Sequence, residues 1–109
     1  MAHAQSMTVE AVVIDETHQF TLTQLVQVCG TEPERLVALV DEGVLSPQGE
    51  APEHWRFSGS ELARARKALR LSRDLELGPD GTALVLQLLD EIDTLRRQLD
   101  RRRDPRSGT

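Results

Sequence analysis

Cys29, the histidines His3, His18 and His54, and the carboxylate pairs Asp41-Glu42 and Asp90-Glu91 are the side chains of this 109-residue chain whose types could do chemistry. A nucleophilic thiol needs an adjacent base, and a metal needs several donors converging from close spacings or from i, i+3 and i+4 on a helix. Cys29 has no base near it in sequence, and no histidine stands at such a spacing from a second ligand. The acids of each pair are neighbours in the chain, so on a helix they point in different directions. No glycine-rich phosphate loop is present. A non-enzymatic protein without metal or cofactor is expected, one whose charged groups work by recognition.

Charge is unevenly divided. Residues 1–60 hold nine acids against Arg35 and Arg56, a net −7, whereas residues 61–109 hold nine acids against eleven bases, a net +2. A single cysteine excludes an internal disulfide, and no apolar run approaches the roughly 20 residues that span a bilayer. The N-terminus lacks a charged-then-apolar leader pattern, so a reducing cytoplasm is the expected setting. Aromatic residues make up only 3% of the chain while Leu and Ala abound, which favours helix packing over an all-β core.

These charges must be carried by elements, and the clearest are in FTLTQLVQVCGTEPERLVALVDEGVL, Phe20 to Leu45. Thr21 and Gln24 have the spacing of a capping box, with Phe20 and Leu25 as its hydrophobic staple, and Gly30 ends that helix. Thr31 with Glu34 repeats the box, Pro33 suits a first helical turn, and Gly43 is the second stop. Leu22, Leu25, Val26 and Cys29 share one face, as do Leu36, Leu39 and Val40 on the second helix, so the two can bury against each other as a helix-turn-helix. Upstream, Val9 to Ile14 has the composition of an edge strand.

Ser46-Pro47 breaks the chain before the QGEAPEH loop. Trp55-Arg56-Phe57 alternates so that both rings face one side, which predicts a small wing paired with Val44-Leu45. Ser58 and Glu61 form a third capping box, opening a helix that runs to about Leu77, where Gly78-Pro79 stops it. Leu62, Ala65, Leu69 and Leu71 face inward, and Arg64, Arg66, Lys67, Arg70 and Arg73 crowd the remaining surface. That basic stripe could bind phosphate or an acidic surface, or simply be a solvated face set against the acidic first half.

Asp80 is placed to cap a last helix from about Gly81 to Arg103. Val85, Leu88, Ile92, Leu95 and Leu99 are spaced 3, 4, 3, 4, a heptad seam of a little over two repeats, and Leu84, Leu86 and Leu89 widen its beginning. The front half is expected to pack on the domain and the back half to project towards a partner, with folding back on its own domain as the alternative. Residues 1–7 and 104–109 are expected to be disordered.

The pattern FTLTQLVQVCGTEPERLVALVDEGVLSP followed by WRFSGSELARARKALRL resembles the winged helix-turn-helix of MerR-type regulators. Such regulators usually carry an Arg-Tyr-Tyr-like run in the recognition helix, where this chain has Val37-Ala38-Leu39-Val40. The chain is more similar to the CbpM chaperone-modulator family, through EGVLSP (Glu42 to Pro47), the Trp55 wing, ALRLSRDLEL (Ala68 to Leu77) and LLDEIDTLRRQL (Leu88 to Leu99). The implied fold is an all-α, MerR-like winged helix-turn-helix domain over 8–77, with a small β wing and a C-terminal amphipathic helix over 80–103.

The implied function is that of a co-chaperone inhibitor. It would bind the J-domain of a CbpA-type Hsp40 and cover the surface needed by Hsp70. Candidate partner-binding residues are Val37, Asp41, Glu42, Glu50, Glu53, Asp90, Glu91 and Asp93. Val85, Leu88, Ile92, Leu95 and Leu99 are the candidates for self-association as a homodimer. The alternative is a MerR-like DNA-binding transcriptional regulator dimerised through the last helix, and a third is a scaffold that only self-associates. Nucleic acid is the less expected ligand, because Glu32, Glu34, Asp41 and Glu42 face one base, Arg35, on the helix that would enter the groove. No membrane role is expected.

Overall fold

The computed structural model describes residues 18–103. The Val9 to Ile14 strand and the expected disorder at 1–7 and 104–109 lie outside them. Strand β1 (Gln19–Phe20) leads into helices α1 (Leu22–Cys29) and α2 (Pro33–Asp41). A 3-10 turn at Pro52–His54 then precedes β2 (Phe57–Ser58), α3 (Gly59–Leu75) and α4 (Pro79–Arg103). The expected mostly helical class, with a helix-turn-helix, a minor β element and a C-terminal helix, is what the chain adopts.

The first capping box forms as its spacing predicts. Gln24 N–H donates to Thr21 Oγ1 at 3.1 Å and Thr21 N–H to Gln24 Oε1 at 2.9 Å. Gly30 ends α1 in the left-handed conformation. The second box does not form: the cap of α2 is Glu32, without a side-chain cap bond. Pro33 is the first helical residue, and a proline holds the residue before it extended, which moves the cap from Thr31 to Glu32. At the other end Gly43 N–H donates to the Val40 carbonyl and Val44 N–H to the Leu39 carbonyl, at 3.0 and 2.9 Å. That paired closure needs a left-handed residue at Gly43, whose φ is 79°.

The wing is paired differently from the expectation. Phe57 pairs antiparallel with Phe20, and Ser58 with Gln19, while Arg56 bridges Gln48. Val44 and Leu45 are not its partners but part of the core. Their closure against α2 already uses the Val44 N–H, and burying two apolar side chains there outweighs what a two-residue ladder returns. Both rings do share a side, since Trp55 and Phe57 are buried with centroids 6.0 Å apart in an edge-on arrangement. The loop between them and α2 turns at Gly49, φ 115°, where a Cβ would lie 2.5 Å from the His54 carbonyl oxygen.

The core gathers Phe20, Leu25, Leu36, Leu39, Leu45, Phe57, Leu62 and Leu86 with Ala65 and Ala68, and draws on every helix. Ala68 belongs to it fully, whereas Leu69 and Leu71 pack only against its edge. Two ends of α3 also differ from expectation. Ser58 Oγ accepts from Glu61 N–H, but the Glu61 carboxylate takes the Ser46 N–H instead of returning to Ser58, tying the post-α2 loop to α3. The helix stops at Leu75 because Glu76 takes the left-handed position at φ 52°, two residues ahead of Gly78, with Leu77 N–H donating to the Ser72 carbonyl at 2.9 Å. Helix α4 begins at Pro79, two residues before the expected Gly81. Asp80 accordingly sits inside the first turn, where its carboxylate accepts from Gly81 N–H at 2.9 Å.

Candidate interaction surfaces

Three surfaces are built on this frame, and the first is the exposed side of α2 with the wing loop. Leu36 and Leu39 turn inward and are buried, which leaves Glu32, Glu34, Arg35, Asp41 and Glu42 in solvent. Arg35 is the sole base of α2, and its Nε lies 3.5 Å from the Glu32 carboxylate, so it is spent within the helix. Glu50 and Glu53 are also exposed, in the loop that precedes Trp55. Val37 is half-buried and packs against the core, so an anchor there would offer a partner only part of its side chain.

The second surface is α4. Thr82 and Leu86 are fully buried, Ala83 packs on the core, and Val85 and Leu89 are half-buried. Beyond Leu89 every described residue except Thr94 is exposed, so nearly the last four turns project, roughly 20 Å at about 1.5 Å per residue. Leu88, Ile92, Leu95 and Leu99 are 53%, 44%, 57% and 51% exposed. Val85 is the inward member of the predicted seam, and Leu84, 57% exposed, takes its place on the open stripe. The i, i+4 step from Leu84 to Leu88 was the signal for this.

Asp90, Glu91 and Asp93 lie on the same helix and are exposed, but Asp90 already has a partner. The Arg64 guanidinium meets it as a fork, Nη2 to Oδ2 at 3.0 Å and Nη1 to Oδ1 at 3.5 Å. Arg64 Nε also donates to the Val44 carbonyl at 2.8 Å, so one side chain links α3, α4 and the exit from α2. Spacing alone does not reveal this, because the three groups are 20 and 26 residues apart.

The third surface is an open groove of 530 Å³ between the end of α1 and the middle of α3. Cys29 lines it beside Arg66. Partial burial raises the thiol above its ordinary range, and Arg66 opposes that rise by favouring the thiolate. Among the described residues no group of three or more His, Cys, Asp and Glu side chains is placed to hold a metal ion, and no helix is long and apolar enough to cross a membrane.

A helix-turn-helix closed by a small wing and followed by a long helix is the arrangement of MerR-type regulators, and the family model described as "MerR HTH family regulatory protein" matches residues 20–103. The chain is 30% identical over 91 residues to the chaperone modulatory protein CbpM of Coxiella burnetii (strain Dugway 5J108-111), covering 84% of this chain and 86% of that one. It is 36% identical over 78 residues to the protein of the same name from Pseudomonas putida (strain W619), covering 72% and 77%. With that of Pseudomonas entomophila (strain L48) the identity is 32% over an equal span. The chain belongs to the CbpM chaperone-modulator family.

Proposed function

We propose that this protein is a chaperone modulator that binds the J-domain of a CbpA-type Hsp40 co-chaperone and inhibits its work with Hsp70. One observation carries the reading beyond the family: the exposed side of α2 has four carboxylates, and its single base is already paired to one of them. Such a surface repels a duplex, whose affinity for proteins comes from cations laid on phosphates. It suits a basic protein surface, where opposite charge speeds encounter and orients docking. Binding would be competitive, the modulator covering the J-domain surface that Hsp70 needs.

Asp41 and Glu42 with Glu50 and Glu53 supply the charge in this reading, and Glu91 and Asp93 are free to extend it along α4. Asp90 contributes less, since its carboxylate neutralises Arg64. Rim charges contribute little affinity by themselves, so an apolar anchor is required. The open stripe of α4 offers far more apolar surface than Val37 does. We assign the distal part of that stripe, Leu95 and Leu99, to a contact between two copies.

Calorimetric titration with a CbpA-type J-domain, beside a duplex DNA control at the same moderate salt, tests the reading. Saturable J-domain binding and none to DNA is expected; binding to DNA alone would replace it with a transcriptional regulator. Asp41→Lys with Glu42→Lys is expected to slow association with the J-domain about tenfold without altering the fold. An unchanged rate in stopped flow would remove that patch.

A further inference from the structure

Among the described residues, the acidic half of the chain does not consume the basic stripe of α3. Arg64 is paired across to Asp90 and Arg73 lies 3.4 Å from its neighbour Asp74, but Arg66, Lys67 and Arg70 form no ion pair among the described residues. All three open onto the groove between α1 and α3, as does Arg73. Opposite them the wall is apolar, made by Val28 and Cys29 at the end of α1. The groove therefore has one cationic side and one hydrophobic side.

That pairing specifies a ligand. Arg66 and Arg70 are one helical turn apart, about 6 Å along the axis, and Arg73 is about 10 Å from Arg66. An extended peptide sends alternate side chains to opposite faces, with same-face neighbours about 6.7 Å apart. Carboxylates at alternate positions would meet successive arginines, whose guanidinium forks donate to them bidentately, while the intervening apolar side chains turn to Val28 and Cys29. Phosphate alone would leave the apolar wall unused.

We propose that the groove between α1 and α3 is a docking site for an acidic segment of a partner protein, bound extended with alternating acidic and apolar side chains. It is separate from the acidic α2 surface and takes a partner of opposite charge. A modulator so equipped holds two different proteins, or two regions of one protein, on different faces of a single small domain.

The test is fluorescence anisotropy of the full chain with a fluorescein-labelled octapeptide alternating Glu and Leu, and with an alternating Lys and Leu octapeptide as control. Saturable binding of the acidic peptide alone is expected. Arg66→Glu with Arg70→Glu should weaken it at least about tenfold, whereas Arg102→Glu with Arg103→Glu should leave it within about twofold. Both pairs are exposed, so an unchanged far-UV circular dichroism spectrum is expected. Bound peptide should also slow alkylation of Cys29 in the wild-type chain.

Equal weakening by both charge reversals would mean diffuse attraction and overturn the proposal. So would a Cys29 alkylation rate indifferent to the peptide, or displacement of the peptide by inorganic phosphate at concentrations where chloride of equal ionic strength has no effect. A wild-type mass that falls in the Arg66, Arg70 variant would give the groove to a second copy instead. J-domain titration reads the other face, so either result can fail without the other.

Discussion

The helix-turn-helix with its wing and the distal half of α4 carry equally regular apolar patterns and have opposite fates. In the first, Leu25, Leu36, Phe57 and Leu62 are sealed completely; in the second, Leu88, Ile92, Leu95 and Leu99 keep about half of their surface in water. Periodicity reports that a helix has an apolar side. It does not report what covers that side, and the described elements cover only the first half of α4.

The contrast is sharpest in stability. Phe57→Ala should cost about 3–5 kcal/mol in urea unfolding, because a fully buried ring leaves a cavity between the wing and α3. Leu95→Ala with Leu99→Ala should leave the monomer within about 0.5 kcal/mol, since these side chains gain little burial within one chain. The same pair should abolish any concentration-dependent increase of mass in light scattering. A wild-type mass that the substitutions leave unchanged would break the comparison, giving the stripe to a different partner.

Arg64→Ala probes the seam between the two regions. It removes the donor to the Val44 carbonyl and frees Asp90, and should cost about 1–2 kcal/mol, most of it from the orphaned carbonyl. Asp90→Asn should cost less, because the side chain is half in water; an equal cost would mean that the ion pair, not the carbonyl bond, holds α4. Smallest and opposite in sign is Glu76→Gly, expected to stabilise by about 0.5–1 kcal/mol. It relieves a side chain held at positive φ where glycine sits without strain, less the entropy that glycine adds to the unfolded chain. A loss of stability would show that the Glu76 side chain contributes to the α3–α4 junction.

What could be read from sequence follows the range of the interactions. Thr21 with Gln24, and the closure at Gly43, are decided within a few residues and form where their spacing puts them. Two misplacements are also local, and physical: Pro33 constrains Glu32 more strongly than Thr31 attracts a cap, and Glu76 accepts a conformation that glycine would take more easily. Long-range choices leave no such trace. Glu61 abandons its box for Ser46, β2 selects Gln19–Phe20 over Val44-Leu45, and Arg64 reaches Val44 and Asp90. The acidic character of α2 was plain from composition, whereas the groove required knowing which face of α3 meets Cys29.

Arg64 has a mechanical consequence. Its guanidinium is clamped at one edge to the carbonyl that follows α2 and at the other to a carboxylate on α4, so neither can shift without straining the other. A protein that grips Asp41 and Glu42, just before Val44, pulls on the root of that clamp. In the proposed reading, one side chain is therefore a polar link between the acidic surface and the projecting helix.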